Sequence, residues 1–338
     1  MAVSHIQNLD VLASPDSHLP LRVSRGEEGI LCSDENERFK IVHDIIYLLP
    51  RNIAEHTTKT REREGWKKIF EDHKWVADPS GILGFPDSSQ EDLYWRKVRV
   101  AFGFALRILG DLSGKKGIDL ACGIGWASAK FVQRGAAMIA ADFNDTVYNG
   151  LGAATQLHKM GINFDAVCCD GESLPIADNS LDFAFICSAL HHFTDPQKTL
   201  REISRVLKPG AVFIDICESF RTGYGDAVRE EKHDCLMEFR GAGINEQSFT
   251  QKEYEEMFRK AGFTLVTLAT DWMRLDETNN FQNWLQNGLD DLSETHPRRI
   301  MRWILKYLRS PAMVKFLVWR RLHFTAVDRI FVATKARQ

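Results

Sequence analysis

From Lys116 onward the chain alternates short, almost wholly apolar runs with longer stretches of helical periodicity, and this alternation constrains the fold most. The runs are KGIDLA, AMIAAD, FDAVCCD, LDFAFIC and AVFIDIC. A strand with one wet face alternates polar and apolar residues, whereas a strand covered on both faces reads as a continuous apolar run. Five such runs linked by helices predict parallel strands with crossover helices on both faces. FTLVTL at 263–268 and RIFVATK at 329–335 add two more candidates. The expected fold is therefore α/β: a Rossmann-like, seven-stranded, doubly wound sheet.

Around that sheet the chain divides by composition. The first twenty residues are polar and contain Pro15 and Pro20, so a loosely held arm is expected. Residues 21–50 offer short β-type runs (LRV, GIL, FKIV, IIYLLP) between Gly- and acid-rich turns, a small β-element. Residues 51–112 read as a helical lead-in. Within it QEDLYWRKVRVAFGFALRIL repeats apolar residues at helical spacing, and Tyr94 and Trp95 are read either as a lid or as core. The main domain then runs over 113–338, with a helical insert at about 270–327. The net charge of −3 gives no global pull toward nucleic acid. The seven cysteines, an odd number lying mostly in apolar runs, suit buried free thiols of a reducing compartment. The first thirty residues lack the apolar core of a secretion signal. A cytoplasmic protein is expected.

The first apolar run opens into DLACGIGWAS (119–128). Gly123 and Gly125 permit a tight strand-to-helix turn and close approach of a ligand to the backbone. Nicotinamide enzymes use a similar loop, so this feature alone leaves the ligand open. Here, however, Ser128 replaces the third glycine, and the carboxylate of Asp119 suits an ammonium group. Asp142 ends the second strand, where a carboxylate accepts from both ribose hydroxyls or caps a helix. Asn144 is placed on the adenine side.

The third strand ends in CCDGESLP (168–175), and the fourth leads into CSALHHFTDPQKTLREISRVLKPGA. In these motifs, and in their order, the chain resembles the class I S-adenosylmethionine-dependent methyltransferases of the small-molecule, type 11 kind. The resemblance covers roughly 90–270 and 325–336. It implies a last strand running antiparallel and S-adenosylmethionine as the cofactor. Asp170 would take the adenine amine, and a backbone N–H at Gly171 or Glu172 a ring nitrogen. Ser188 is placed with the same cofactor-binding set. The segment before residue 50 resembles the zinc-ribbon-like element that precedes some of these domains. Cys32 stands alone there, however, with Glu35 where a partner would fall, so no metal is expected.

Methyl transfer needs an aligned nucleophile and, for some acceptors, a base. Ser188, His191 and His192 follow the fourth strand and Glu218 the fifth. His191, His192 and Glu218 are the catalytic candidates, with a structural role for the histidines and a solvated loop position for Glu218 as the alternatives. Tyr224, His233, Glu238, Arg240, Asn245 and Glu246 lie in a stretch expected to cover a small-molecule acceptor. The expected acceptor atom is a hydroxyl of a metabolite, sugar or lipid-linked precursor. N- or C-methylation, a non-methyl-transfer reaction on the same fold, or a nicotinamide-dependent oxidoreductase are the alternatives. Residues 297–324 carry eight Lys/Arg and no acid, with Ile300, Ile304, Tyr307 and Leu308 on one helical face. That pattern fits either a peripheral membrane contact or a hairpin packing on the sheet or in a homodimer. No nucleic acid is expected, because no RNA-binding module is recognisable.

Overall fold

A computed structural model describes residues 6–24, 27, 29–33, 37–55, 57–72, 78–88, 93–218, 234–269, 308, 310, 313 and 329–337. The strands are β1 (Arg22–Val23), β2 (Ile30–Cys32), β3 (Arg38–Val42), β4 (Ile45–Leu48), β5 (Lys116–Leu120), β6 (Ala137–Asp142), β7 (Asp165–Cys169), β8 (Leu181–Cys187), β9 (Leu207–Ile216), β10 (Phe263–Ala269) and β11 (Arg329–Lys335). The helices are α1 (Thr57–Asp72), α2 (Pro79–Gly84), α3 (Leu93–Leu109), α4 (Trp126–Val132), α5 (Leu151–Ala154), α6 (Pro196–Val206), α7 (Asp234–Ala242) and α8 (Gln251–Lys260).

All eleven strands form one sheet in the order β1-β2-β3-β4-β7-β6-β5-β8-β9-β11-β10. From β4 through β9 in that order, neighbours are parallel. β11 is antiparallel to β9. The seven strands expected from the sequence are β5 to β11, and the antiparallel last strand is present. Alternate residues of each parallel strand serve opposite layers: Ile139 and Ala141 pack into one apolar cluster, Met138 and Ala140 into the other. That double burial is why these strands are apolar throughout. The chain leaves β5 toward β6 on one side and later returns on the other through β8. The crevice at the carboxyl ends of β5 and its neighbours is thus the topological switch point where such sheets bind ligands.

The N-terminal region differs from the expectation. β1 to β4 are not a separate element, because β4 pairs in parallel with β7, Tyr47 opposite Cys168, and extends the same sheet. The described part of the arm before β1, from Ile6, is not loose either. Asp165 accepts from the backbone N–H groups of Gln7 (3.0 Å) and Asn8 (2.8 Å) and from Asn8 Nδ2 (2.9 Å). Leu12 bridges to Ile176, and Val11, Leu12 and Ala13 are buried. The polar residues that suggested mobility are the ones that pin the arm down.

Local sequence rules account for the elements near the site. Asp195 caps α6, its Oδ1 accepting from Lys198 N at 2.9 Å with Pro196 following, and Leu200, Ile203 and Val206 form the buried face. Pro209-Gly210 lies inside β9. It sits within the strand as an irregularity, since Leu181 faces Leu207 while Phe183 already faces Val212. Thr250 and Glu253 form a capping box at the start of α8 and so fix Tyr254 one turn in.

Residues 1–268 and 330–338 form one compact unit and 269–329 another. The basic stretch 297–324 and the insert around it lie outside the described residues, save residues 308, 310 and 313. Tyr224 and His233 also lie outside them. Among the described residues no helix is long and apolar enough to cross a membrane.

Candidate active site

Three acids end three adjacent strands. Asp119, in the last turn of β5, is buried, and its Oδ2 accepts from Ser128 N (3.0 Å) and Ser128 Oγ (2.7 Å). The serine in the third-glycine position therefore ties the loop to the strand, a role the spacing alone did not reveal. Asp142 Oδ2 accepts from Gly123 N (2.8 Å) and its Oδ1 from Asn144 N (2.8 Å). Gly123 and Gly125 both have positive φ, +52° and +76°. At Gly125 an added Cβ would stand 2.9 Å from Ala154 Cβ, so the turn needs glycine for conformation and for space. Burial pushes Asp119 up to about 7, against the lowering effect of Ser128, and pushes Asp142 up to about 6.

Asn144 is committed to its own loop. Its Nδ2 donates to Asn149 Oδ1 (2.9 Å) and its Oδ1 accepts from Thr146 N (3.0 Å). Ser188 has a positive φ of 53°, and its N–H donates to Ile216 O at 2.8 Å. Ser188 thus stands at a sharp turn leaving β8.

Asp170, at the end of β7, holds an unexpected partner. Lys59 Nζ on α1 donates to both its carboxylate oxygens (2.7 and 2.6 Å) and lies 3.0 Å from Glu172 Oε2. All three side chains are buried. Glu172 N–H turns back onto Asp170 Oδ1 (3.0 Å), and Glu172 Oε1 accepts from Asp195 N (2.9 Å). The Glu172 N–H is thus engaged within its own turn instead of being free for a ring nitrogen.

Beyond β8 and β9 lies a second polar group. Glu218, expected as a base or a solvated acid, is wholly buried. It accepts from the backbone N–H groups of Ala189 (2.8 Å), Leu190 (2.9 Å) and His191 (3.2 Å), from His191 Nδ1 (2.6 Å) and from Tyr254 OH (3.1 Å). Burial alone would raise its pKa. His191 and the backbone donors outweigh burial and hold it at about 2. A carboxylate so saturated is a poor base, and its work is to position His191. Opposite Glu218, His191 Nε2 lies 3.5 Å from Glu246 Oε2, and His192 Nε2 lies 3.7 Å from Glu246 Oε1. His192 Nδ1 faces Asn245 O (3.1 Å) and Glu62 Oε1 (3.3 Å). Burial lowers the His192 pKa, but Glu62 and Glu246 raise it further, to a net value above the ordinary one. Trp66 packs its edge on the His192 ring. Lys59, Glu62 and Trp66 thus share one face of α1, and that face addresses the strand ends.

Comparison with known proteins bears on what this site holds. The methyltransferase domain family matches residues 118–215. The ubiquinone/menaquinone biosynthesis C-methyltransferase UbiE of Pasteurella multocida is 33% identical over 162 residues, 46% of this chain and 60% of that protein. The demethylmenaquinone methyltransferase of Renibacterium salmoninarum is 31% identical over 186 residues, 55% of this chain and 70% of that protein. The chain belongs to the class I S-adenosylmethionine-dependent methyltransferases. Among solved structures, the YcgJ protein of Bacillus subtilis aligns at 17% identity, covering 71% of this chain and 99% of that one with a TM-score of 0.46. The chain spans only about half the length of several curated relatives it matches. Family membership sets aside the nicotinamide-dependent alternative.

The cradle suits this methyltransferase's cofactor on its own chemistry. Acids whose pKa values are raised by desolvation favour a ligand that brings positive charge and hydroxyl donors. Asp119, Asp142 and the Gly123–Gly125 backbone would hold the amino-acid and ribose portions, and Asp170 the adenine amine. A pH dependence follows. The raised values mean that the free protein gains stability from these two groups at low pH and loses it as pH rises through 6 to 7. Binding a cation favours their ionised forms. Calorimetry with S-adenosylhomocysteine is expected to show affinity rising by roughly tenfold per pH unit for each group still protonated, between pH 5 and 7. A flat profile would remove Asp119 and Asp142 from the binding set.

Proposed function

We propose that this methyltransferase moves a methyl group from S-adenosylmethionine to a ring carbon of a small, hydroxylated aromatic acceptor of quinol type. One observation carries the reading: the His191–His192–Glu246 group lies next to the cofactor cradle. Lys59, which meets Asp170, and Glu62, which meets His192, are one turn apart on α1, roughly 5 Å along the helix axis. A polar, ionisable group so placed can receive an acceptor hydroxyl while the rest of the ring faces the cofactor. The names of the relatives, which include a C-methyltransferase and demethylmenaquinone methyltransferases, support carbon over oxygen as the atom methylated.

When bound, the cofactor supplies an electrophilic methyl carbon on a sulfonium. The protein's part is alignment and proton removal. Taking the hydroxyl proton at the His192–Glu246 edge makes the acceptor's ring carbons more nucleophilic, and once the new C–CH3 bond has formed the ring proton passes to solvent and restores aromaticity. Glu218 and Tyr254 keep the His191 ring fixed through both steps. Hydroxyl methylation, expected from the sequence, uses the same base and is the second reading. Reaction of reduced demethylmenaquinone with methyl-13C-labelled cofactor separates them by long-range proton–carbon NMR couplings. Coupling of the new methyl protons to ring carbons is expected; a methyl attached to oxygen would overturn the carbon assignment.

A further inference from the structure

We propose that His191, His192 and Glu246 bind a divalent transition-metal ion through both Nε2 atoms and the Glu246 carboxylate. The imidazole nitrogens and the carboxylate oxygen offered by these residues lie within 4.8 Å of one another. The Nε2-to-oxygen separations of 3.5 and 3.7 Å are close to those between ligands that each stand about 2.0–2.2 Å from one tetrahedral ion.

The hydrogen bonds behind the ligands fix the tautomers. The Glu218 carboxyl oxygens already accept from the N–H groups of Ala189, Leu190 and His191, so His191 Nδ1 is the donor in their 2.6 Å contact. Asn245 O is a carbonyl, so His192 Nδ1 must be a donor as well. Each Nε2 is then left as the coordinating atom and points toward a carboxylate. Among the described residues, no lysine or arginine side chain pairs with Glu246 or Glu62. Donation of Nδ1–H to a carboxylate and to a backbone carbonyl is the outer arrangement that metal-ligating histidines use.

The third ligand is held as firmly as the first two. Asn245 Nδ2 donates to His192 O (2.7 Å), and Gln247 Nε2 to Phe193 O (2.5 Å), so the 245–247 segment is laced onto the histidine turn. Two imidazoles and a carboxylate select Zn2+, Fe2+, Co2+ or Mn2+ over Mg2+ or Ca2+, with a fourth position left open. On the functional reading above, and resting on it, the open position of the ion would take the acceptor's hydroxyl oxygen. The ion would then replace the His192–Glu246 edge in removing the hydroxyl proton, favouring the deprotonated oxygen as a Lewis acid while the proton passes to solvent.

The test uses the full chain, stripped with a chelator and titrated with Zn2+ and then Co2+ while bound metal and Co2+ visible absorption are read. One ion per chain is expected, with a tetrahedral or five-coordinate Co2+ spectrum and no thiolate charge-transfer band. Glu246→Gln and His192→Ala should each weaken binding by at least about a hundredfold, and Glu218→Gln by roughly tenfold. His43→Asn, at an exposed turn, should leave it unchanged. Far-UV circular dichroism establishes that each variant is folded. Absence of stoichiometric binding, a thiolate band, or equal affinity in folded Glu246→Gln overturns the proposal. S-adenosylhomocysteine calorimetry on the same samples tests the methyltransferase reading separately. Cofactor binding without metal binding sinks the metal site alone, and metal binding without cofactor binding sinks the functional reading alone.

Discussion

Replacing Glu218 by alanine is expected to destabilise the protein by about 3–5 kcal/mol, the scale for removing one member of a buried charged network. The carboxylate satisfies three consecutive backbone N–H groups, an imidazole N–H and a phenol, all away from water. Alanine leaves those donors without acceptors. Glu218→Gln should cost less, about 1–3 kcal/mol, because one oxygen is kept while the amide meets donors with another donor. Urea unfolding midpoints separate the two variants. A midpoint for Glu218→Ala within error of wild type would mean that water enters and satisfies the turn, and Glu218 would lose its positioning role.

Glu218 also shows where the sequence was readable and where it was not. β5 to β9 were legible because strands covered on both faces have to be apolar throughout, and that requirement is written locally. The acids at 119, 142 and 170 were legible for the same reason, since each interrupts such a run at its end. Glu218 also ends a run, but its burial depends on N–H groups from residues 189–191, which only the folded sheet brings to it. Asp215 lies inside that run, buried with no protein donor, and burial together with the nearby Glu218 charge pushes its pKa well above the ordinary value. A neutral acid can occupy a strand that reads as apolar.

Long-range pairing was hidden in the same way. IIYL reads as a strand, yet nothing in it specifies β7 as its neighbour. Lys59 and Glu62 sit in a helix so rich in both charges that its polar face reads as solvated. Their burial follows from where α1 lies, against strand ends that carry acids and histidines. Thiol spacing is a local signal, so the sequence directs a metal search to Cys32. The His191–His192 pair was visible, but its third partner, Glu246, lies far along the chain and arrives through the 243–247 turn.

Lys59→Met is expected to affect the free and cofactor-bound forms in opposite directions. In the free protein Lys59 is the cation shared by Asp170 and Glu172, at 2.6 and 3.0 Å. Removing it leaves two buried carboxylates together, a loss of about 3–5 kcal/mol. The methionine keeps the apolar stem, so packing of α1 is largely retained and the loss is electrostatic. In the bound form the adenine amine competes for the carboxylate that Lys59 now holds. Wild-type protein must open that ion pair before Asp170 can serve the ligand, whereas the variant need not. The affinity for S-adenosylhomocysteine is therefore expected to rise by about tenfold, or about 1.4 kcal/mol, while the melting temperature without ligand falls. Thermal scans with and without saturating ligand read both effects, since the ligand-induced increase grows with affinity. A weaker affinity in the variant would sink the competition. Lys59 would then remain on Asp170 while the cofactor binds, adenine would be held by other groups, and α1 would form a fixed wall of the site instead of one that exchanges partners with the ligand.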